Sequence, residues 1–147
     1  MKQIPATINQ LKKAFRFHYK VYKKIRNELN YEPMTKRLIL FYSVESGLKH
    51  YLLKKIKKNT TDDFNGHLLY GNIYKHGHDL RMLIKYAKIG NAANYQLKPF
   101  ISSQIGRIEP EQFHQIWRYG IETNNFEQED KSEKVLQNIA HWLEERI

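Results

Sequence analysis

The chain has 147 residues, of which 41% are hydrophobic and 13% aromatic, and this composition excludes an intrinsically disordered protein. It contains no cysteine, which excludes disulfides, thiolate metal ligands and a cysteine nucleophile and is typical of a reducing compartment. Because the sequence has neither a long apolar run nor a signal-peptide core near its N-terminus, we expect one cytoplasmic domain over residues 1–147 without membrane contact.

The net charge of +10 is distributed unevenly along the chain. Residues 1–58 carry 15 of the 25 lysines and arginines and 3 of the 15 aspartates and glutamates, a net charge of +12, and the remainder carries −2. This asymmetry indicates a polyanionic partner, which is a nucleic acid, an acidic membrane surface or an acidic protein. The alternative is a lysine-rich surface that only keeps the protein soluble.

The first predicted helix runs from about Pro5 to Leu29, with a seam of apolar residues spaced three and four apart and His18 at its centre. We interpret its basic side as a surface for phosphates, with Tyr19 and Tyr22 close enough to stack on bases. A core helix with a soluble back is the alternative. A membrane-surface helix is disfavoured because the seam is needed for packing. The basic side consists of Lys12, Lys13, Arg16, Lys20, Lys23, Lys24 and Arg26.

The second predicted helix runs from Thr35, its expected cap, to Lys58 and carries Glu45 in the middle of its apolar stripe. The link that ends at Pro33 is short, so the two helices are expected to form an antiparallel hairpin. A buried carboxylate needs a partner. The seam midpoints predict a His18–Glu45 contact, and an arginine of a later helix is the alternative partner. The basic surface continues at the end of this helix with Lys54, Lys55, Lys57 and Lys58.

The rest of the chain is predicted to form short helices joined by turns. No alternation of apolar and polar residues is long enough to indicate a sheet, so we expect an all-α bundle of five to seven helices. The expected elements are a turn at 59–63, a helix at 64–74, a helix at 80–89 that His78 or Asp79 caps and Gly90 ends, a short helix at 100–105, a helix from Pro110 through Ile121, an acidic loop at 124–131, and a last helix that Asp130 caps together with Glu133.

Several catalytic signatures are absent from the sequence. It has no glycine-rich phosphate loop, no Gly-x-Ser-x-Gly and no His-Glu-x-x-His. The carboxylates are not paired as a divalent-metal site requires, and His76 and His78 lack a third ligand at a suitable spacing. We therefore expect no metal and no cofactor, which argues against a metal-dependent nuclease.

Two segments carry a family resemblance. FYSVESGLK at 41–49 contains a Glu-x-x-Leu-Lys pattern, and GHDLRML at 77–83 contains a Gly-His-Asp-Leu-x-x-Leu pattern. Together with the pair Arg118–Tyr119, they resemble the HEPN-like superfamily. The resemblance implies a helical bundle, frequent homodimerisation, RNA- or nucleotide-related work, and a place among toxin–antitoxin or antiphage proteins.

Active members of that superfamily are metal-independent ribonucleases with an arginine followed four to six residues later by a histidine. Arg118 has no histidine in that window, whereas Arg107 and His114 match the spacing. In such a site the histidine transfers a proton at the ribose 2′-hydroxyl and the arginine stabilises charge on the phosphate. Arg107 and His114 are therefore the candidate catalytic pair.

We favour binding over cleavage and expect a HEPN-like module that binds nucleic acid, RNA rather than DNA, through its basic residues. Glu45, His78, Asp79 and Arg118, with His18, are then a structural polar network between helices. Two alternatives remain open. One is a metal-independent endoribonuclease with His114 or His78 as the acid or base. The other is an adaptor that docks an acidic protein such as an antitoxin.

Overall fold

The computed structural model describes residues 4–147, so residues 1–3 of the expected domain lie outside the described part. The described residues are mainly helical, as the sequence predicts, but they also form a small antiparallel sheet, so the all-α class was wrong in this detail. The helices are α1 (Ile8–Ile25), α2 (Pro33–Lys55), α3 (Asn72–His76), α4 (Leu80–Ala87), α5 (Phe113–Tyr119) and α6 (Phe126–Glu144), and the strands are β1 (Phe100–Ser102) and β2 (Gly106–Ile108).

α2 is the central element, because it packs against α1, α4, α5 and α6. Its apolar side chains are buried on more than one face, including the adjacent pairs Leu40–Phe41 and Leu52–Leu53. A helix that is covered on several sides does not show a single apolar stripe. The stripe in the sequence therefore identifies only the part of the buried surface that contains Phe41, Leu48 and Leu52.

α1 and α2 run in opposite directions. The Nδ1 atom of His50 lies 2.8 Å from the carbonyl oxygen of Ile8, and the Ser43 hydroxyl donates to the carbonyl of Phe15 over 3.1 Å. These contacts place residue 8 level with residue 50 and residue 15 level with residue 43. At Gly47, an added Cβ would lie 2.8 Å from side-chain atoms of both Phe15 and Leu143, so this glycine allows α1 and α6 to approach α2 closely.

The beginning of α1 is tied to the segment that follows α2. Thr7 and Thr60 form an isolated antiparallel bridge. The amide of Ile8 donates to the carbonyl of Asn59 over 2.7 Å, and the amide of Thr61 donates to the carbonyl of Ala6 over 2.9 Å. The helix pair is consequently closed at the end that is opposite its connecting loop.

The ends of α1 and α2 differ from the sequence prediction. α1 begins at Ile8, because Thr7 and Gln10 form a capping box, and it ends at Ile25, which leaves Leu29 fully exposed. α2 begins at Pro33 and not at Thr35, since proline is favoured in the first helical turn, where its missing N–H has no intrahelical partner. α2 ends at Lys55, and Lys57 has a left-handed backbone conformation with φ of 58°.

The helix predicted at 100–105 is wrong, because this segment forms the β1–β2 hairpin. Phe100 pairs with Ile108, and both side chains are buried. Ile101, the next residue along β1, is exposed. The Ser102 hydroxyl accepts from the amides of residues 104 and 105, and Gly106 has φ of 94°. This turn chemistry favours a hairpin, but strands of three residues are too short to show a period of two.

Several later elements also have different bounds. In place of a helix at 64–74 there is a short 3-10 helix, Thr61–Phe64, then a turn and α3. α4 ends at Ala87. The residue that ends it in the left-handed conformation is Lys88, whereas the sequence predicted Gly90. α5 follows a 3-10 turn at Pro110–Gln112 and ends before Ile121, because Gly120 adopts a left-handed conformation after Tyr119.

α6 starts earlier than predicted. The Asn125 side chain accepts a hydrogen bond from the amide of Gln128 and caps the helix, so residues 126–131 are helical and the predicted acidic loop is wrong. Asp130 is therefore not a cap. Its carboxylate forms an ion pair with the buried Arg37 of α2, and Glu133 binds the same guanidinium at 2.9 Å. This tertiary contact with Arg37 accounts for Asp130 and Glu133.

Candidate functional site

The first candidate region surrounds His50, where the beginning of α1 meets the end of α2. Burial lowers the pKa of His50, the hydrogen bond to Ile8 opposes that shift, and the positive charges of Lys12, Lys54 and Arg16 lower it further. Three cations therefore lie close enough to act on one buried imidazole. We call Lys12, Arg16 and Lys54 around His50 the basic end.

The other predicted nucleic-acid-binding residues are less concentrated. Lys13, Lys20, Lys24, Lys55, Lys57 and Lys58 are exposed. Lys23 forms an ion pair with Glu144 at 2.6 Å, which compensates its charge. The basic end is the group of predicted cations whose charges act on one buried residue, His50.

Tyr19 and Tyr22, which were expected to stack on bases, are not available for stacking because both are buried. Tyr19 is buried against Phe15, and Tyr22 is buried with its hydroxyl donating to Glu133 at 2.5 Å. Burial and the Glu133 carboxylate raise the pKa of Tyr22, so its hydroxyl stays protonated. The prediction for these side chains was wrong because they belong to the packed seam of α1.

Sequence reasoning missed a pair of aromatic residues beside the basic end. Tyr51 follows His50 on α2, and its ring lies 5.0 Å from that of Trp142 on α6. The guanidinium of Arg146 lies 4.0 Å from the centre of the Trp142 ring. Tryptophan at position 142 was visible in the sequence, but it was assigned to the core because its spacing fits the buried face of α6.

The second candidate region is built on Glu45, whose side chain is 11% exposed. Its Oε1 lies 2.5 Å from Nδ1 of His78, and its Oε2 lies 3.3 Å from Nζ of Lys49. Burial by itself raises the pKa of Glu45, but the hydrogen bond from His78 and the charge of Lys49 outweigh it and hold the pKa below its usual value. Glu45 is consequently an ionised, fully partnered carboxylate.

This arrangement fixes which ring nitrogen of His78 carries hydrogen. A carboxylate accepts and does not donate, so Nδ1 of His78 is the donor in this hydrogen bond and Nε2 is the ring nitrogen left free of it. The His78 side chain is 52% exposed. An imidazole oriented by a carboxylate in this way is suited to general base catalysis.

The predicted contact of Glu45 with His18 was wrong, and so was the alternative partner, an arginine. With residue 15 level with residue 43, His18 lies level with Leu40 and Glu45 lies level with Lys13. His18 is half-buried beside the Phe17 ring, and burial lowers its pKa. The structure therefore joins Glu45 to His78 and Lys49. Lys49 could have been recognised from its spacing of four residues from Glu45.

The remaining members of the predicted polar network serve other contacts. Asp79 caps α4 by accepting from the amide of Met82 over 3.4 Å. Arg118 donates through Nε to the hydroxyl of Tyr42 over 2.9 Å. The charge of Arg118 acts on His114, whose ring stacks on that of His78.

His114 is buried directly behind His78. The two imidazole rings stack with centroids 4.5 Å apart, the Phe41 ring covers His114 at 5.6 Å, and Nδ1 of His114 has no hydrogen-bond partner among residues 4–147. Burial, followed by the positive charges of His78 and Arg118, lowers the pKa of His114, against the opposing effects of Glu45 and the nearby Glu111 carbonyl. His114 is therefore a neutral, buried ring.

Arg107 and His114 do not form the pair that their spacing indicates. Arg107 lies on β2, is 63% exposed and donates to Glu109 at 2.6 Å. His114 contacts His78 and Phe41, and no hydrogen bond within residues 4–147 joins it to Arg107. The match straddles the start of a helix, so the two side chains do not share one helical face.

A cleft of about 370 Å³ lies beside the Glu45–His78 pair. Glu45, Lys49, Lys75 and His78 line one side, and the segment before α1 lines the other. An added Cβ at Gly77 would lie 2.7 Å from Nζ of Lys49, so glycine is needed for the lysine to lie against this turn. The cleft has a net positive lining, because Lys49 and Lys75 outnumber Glu45, the one carboxylate among its lining residues.

Comparison of the chain with protein-family models, curated proteins and solved structures gives no match. Over the described part, residues 4–147, no helix has the length and apolarity to cross a membrane. In the same range, no group of three or more histidine, aspartate or glutamate side chains is arranged to hold a metal ion. Function is therefore inferred from the chemistry of the residues above.

Proposed function

We propose that this protein is a HEPN-like nucleic-acid-binding module that binds RNA in preference to DNA through the basic end. The observation that supports it most is that the charges of Lys12, Lys54 and Arg16 all act on the buried His50. Within residues 4–147, none of these three cations has an aspartate or glutamate side chain at ion-pair distance. The Arg16 guanidinium donates to the backbone oxygen of Ile147 over 3.1 Å, whereas Lys12 and Lys54 remain to attract phosphates and release counterions from them.

The nature of the partner follows from two different arguments. Positive charge supports any polyanion, whereas the preference for RNA, a homodimer and a role in toxin–antitoxin or antiphage defence rest on the resemblance of residues 41–49 and 77–83 to HEPN-like proteins.

The test is a fluorescence-anisotropy titration of labelled single-stranded RNA, and of DNA of the same sequence, at 50 and 200 mM salt with EDTA present. We expect the dissociation constant to rise steeply with salt, and the variant Lys12→Gln/Arg16→Gln/Lys54→Gln to reduce the slope by about one unit per lost phosphate contact. A matched control is Lys98→Gln/Lys131→Gln/Lys134→Gln, because these lysines are grouped around a different cavity.

Two outcomes would contradict RNA binding at the basic end. One is a dissociation constant that does not change with salt, and the other is an equal loss of affinity in the control triple variant. If the protein does not bind RNA at low salt, the basic end remains available to an acidic protein, which is the adaptor alternative.

The Glu45–His78 pair favours a second function, a metal-independent endoribonuclease. His78 lines the cleft, and Nε2, the ring nitrogen that is not bonded to Glu45, is suited to remove the proton from a ribose 2′-hydroxyl. Lys75, which is exposed in the same lining and has no acidic partner at ion-pair distance within residues 4–147, supplies positive charge for the phosphate.

The ribonuclease is tested by incubating the purified protein with RNA in EDTA and analysing the RNA on a denaturing gel. We expect cleavage that is lost in His78→Gln, while RNA binding by anisotropy is retained. His18→Gln serves as the control, because His18 lies outside the cleft lining. RNA that stays intact with and without EDTA would eliminate this second function.

A further inference from the structure

A second cavity, of about 540 Å³, lies along one face of α4 and is separate from the cleft at His78. Arg81, Ile84, Lys85 and Lys88 line it from successive turns of α4 and from its C-terminal cap. Tyr95 and Leu97 line it from the segment that precedes the hairpin. Its volume is in the range of cavities that hold small organic ligands, roughly 300–1,000 Å³.

The floor of this cavity is apolar. Ile84 and Leu97 are 7% and 4% exposed, and Tyr95 is half-buried. Such a floor contributes binding free energy when an apolar group of a ligand covers it. It gives no preference for a charged ligand by itself.

The rim of the cavity is cationic. Lys85 and Lys88 are exposed, and neither has an acidic partner at ion-pair distance within residues 4–147. Arg81, by contrast, is held by Glu109 at 3.0 Å and by Glu111 at 3.1 Å. No aspartate or glutamate lines the cavity in the described residues, so the two lysines supply its uncompensated charge.

Lys88 has an unusual backbone. It caps α4 in the left-handed conformation, with φ of 54° and ψ of 45°, a conformation that glycine adopts without a Cβ penalty. A lysine at this position keeps a cation at the rim at a conformational cost. Backbone strain of this kind is concentrated at ligand sites.

We propose that this cavity binds a small organic anion whose apolar body covers Ile84 and Leu97 and whose acidic head pairs with Lys85 and Lys88. The head is a carboxylate or a phosphate, since an ammonium pair accommodates either. This site lies beyond the nucleic-acid-binding function and does not depend on it, because neither lysine belongs to the basic end.

The first experiment is isothermal titration calorimetry of the full chain with octanoate, octyl phosphate and 1-octanol. The three probes share one apolar body and differ in the head. We expect both anions to bind with a stoichiometry of one. We expect 1-octanol to have an affinity lower by on the order of tenfold or more, because it lacks the charge-assisted hydrogen bonds. The tighter of the two anions identifies the head group.

The second experiment compares Lys88→Gly and Lys85→Gln with Lys20→Gln, a control on α1. In Lys88→Gly the left-handed backbone is relieved, so the melting temperature is retained or raised while octanoate affinity falls on the order of tenfold. Lys85→Gln is expected to weaken octanoate to a similar extent, and Lys20→Gln to leave it unchanged. Octanol binding as tight as that of octanoate, the absence of binding at millimolar octanoate, or unchanged affinity in Lys88→Gly would each overturn the proposal.

Discussion

Glu45 and His78 are 33 residues apart in the chain, and their side chains are joined by a hydrogen bond of 2.5 Å between α2 and the turn before α4. The same His78 ring stacks on His114 of α5. One buried carboxylate thus links three helical segments. Its charge is compensated from both oxygens, by His78 and by Lys49.

Replacing Glu45 with alanine is expected to destabilise the protein. The substitution leaves Lys49 without its partner and removes the group that orients His78, and breaking a buried ion pair costs about 3 kcal/mol. Urea unfolding followed by circular dichroism measures the change. Glu28→Ala is the control, because Glu28 is exposed and forms no ion pair within residues 4–147. A loss below about 0.5 kcal/mol, the range of ordinary surface substitutions, would contradict the role of Glu45.

Acidification is expected to lower stability before the carboxylates titrate. Burial and the charges of His78 and Arg118 place the pKa of His114 below its usual value of 6.5. As the pH falls through 6.5, the unfolded chain binds a proton that the folded protein does not, so the free energy of unfolding decreases. His50 and His18 act in the same direction, since burial also lowers the pKa of each.

Urea titrations at pH 7.5, 6.5 and 5.5 measure this effect. We expect the decrease to be smaller in His114→Phe, which also leaves no orphaned buried nitrogen behind. His141→Phe is the control, because the His141 side chain is 67% exposed. An identical pH dependence in the parent protein and in His114→Phe would show that His114 is protonated equally in the folded and unfolded states.

Gly47→Ala is expected to be destabilising although alanine favours helices by about 1 kcal/mol over glycine. The new methyl group would lie 2.8 Å from atoms of Phe15 and Leu143, and such overpacking costs about 1–3 kcal/mol. The urea midpoint measures the balance. Ser46→Ala, one position earlier on α2, reports the effect of helix propensity without this clash. A midpoint for Gly47→Ala at or above that of the parent would mean that α1 or α6 moves away freely.

Arg37→Ala is expected to cause the largest loss of stability among these variants. The Arg37 side chain is 5% exposed and lies between Glu129, Asp130 and Glu133, so its removal leaves buried negative charge on α6. Removing one partner of such a group costs about 3–5 kcal/mol. Lys131→Ala breaks only the exposed pair with Glu127 and is expected to cost less than about 0.5 kcal/mol. Similar losses for the two variants in thermal unfolding would contradict this assignment.

The sequence predicted the buried faces of the long helices because their spacing follows the helical period. Phe15 and Tyr22 on α1, and Phe41 and Leu48 on α2, are all buried. The same periodicity carries no information about register, since a seam can slide by a turn and still pack. The register is set by Gly47, where the helices approach closely, and by the ties at Ile8 and Asn59. The expected His18–Glu45 contact failed for this reason.

The short elements were harder to predict. The hairpin at 100–108 has three residues in each strand, too few to show alternation. At the start of α6, Asn125 and Asp130 both have cap chemistry, and only the tertiary contact of Asp130 with Arg37 decides between them. In the candidate sites, charge alone indicated the basic end, whereas the stacking of His114 on His78 depends on how α5 packs and left no local signal.

The bridge between Thr7 and Thr60 has a consequence for how the basic end meets a ligand. Helix termini normally fray, and lysines on a fraying turn must be immobilised when they bind, which opposes association through lost conformational entropy. Here the start of α1 and the segment that follows α2 are hydrogen-bonded to each other. Lys12, Arg16 and Lys54 are therefore held at fixed backbone positions before any partner binds. Slow amide hydrogen exchange at Ile8 and Thr61 is the direct signature of this pre-organisation.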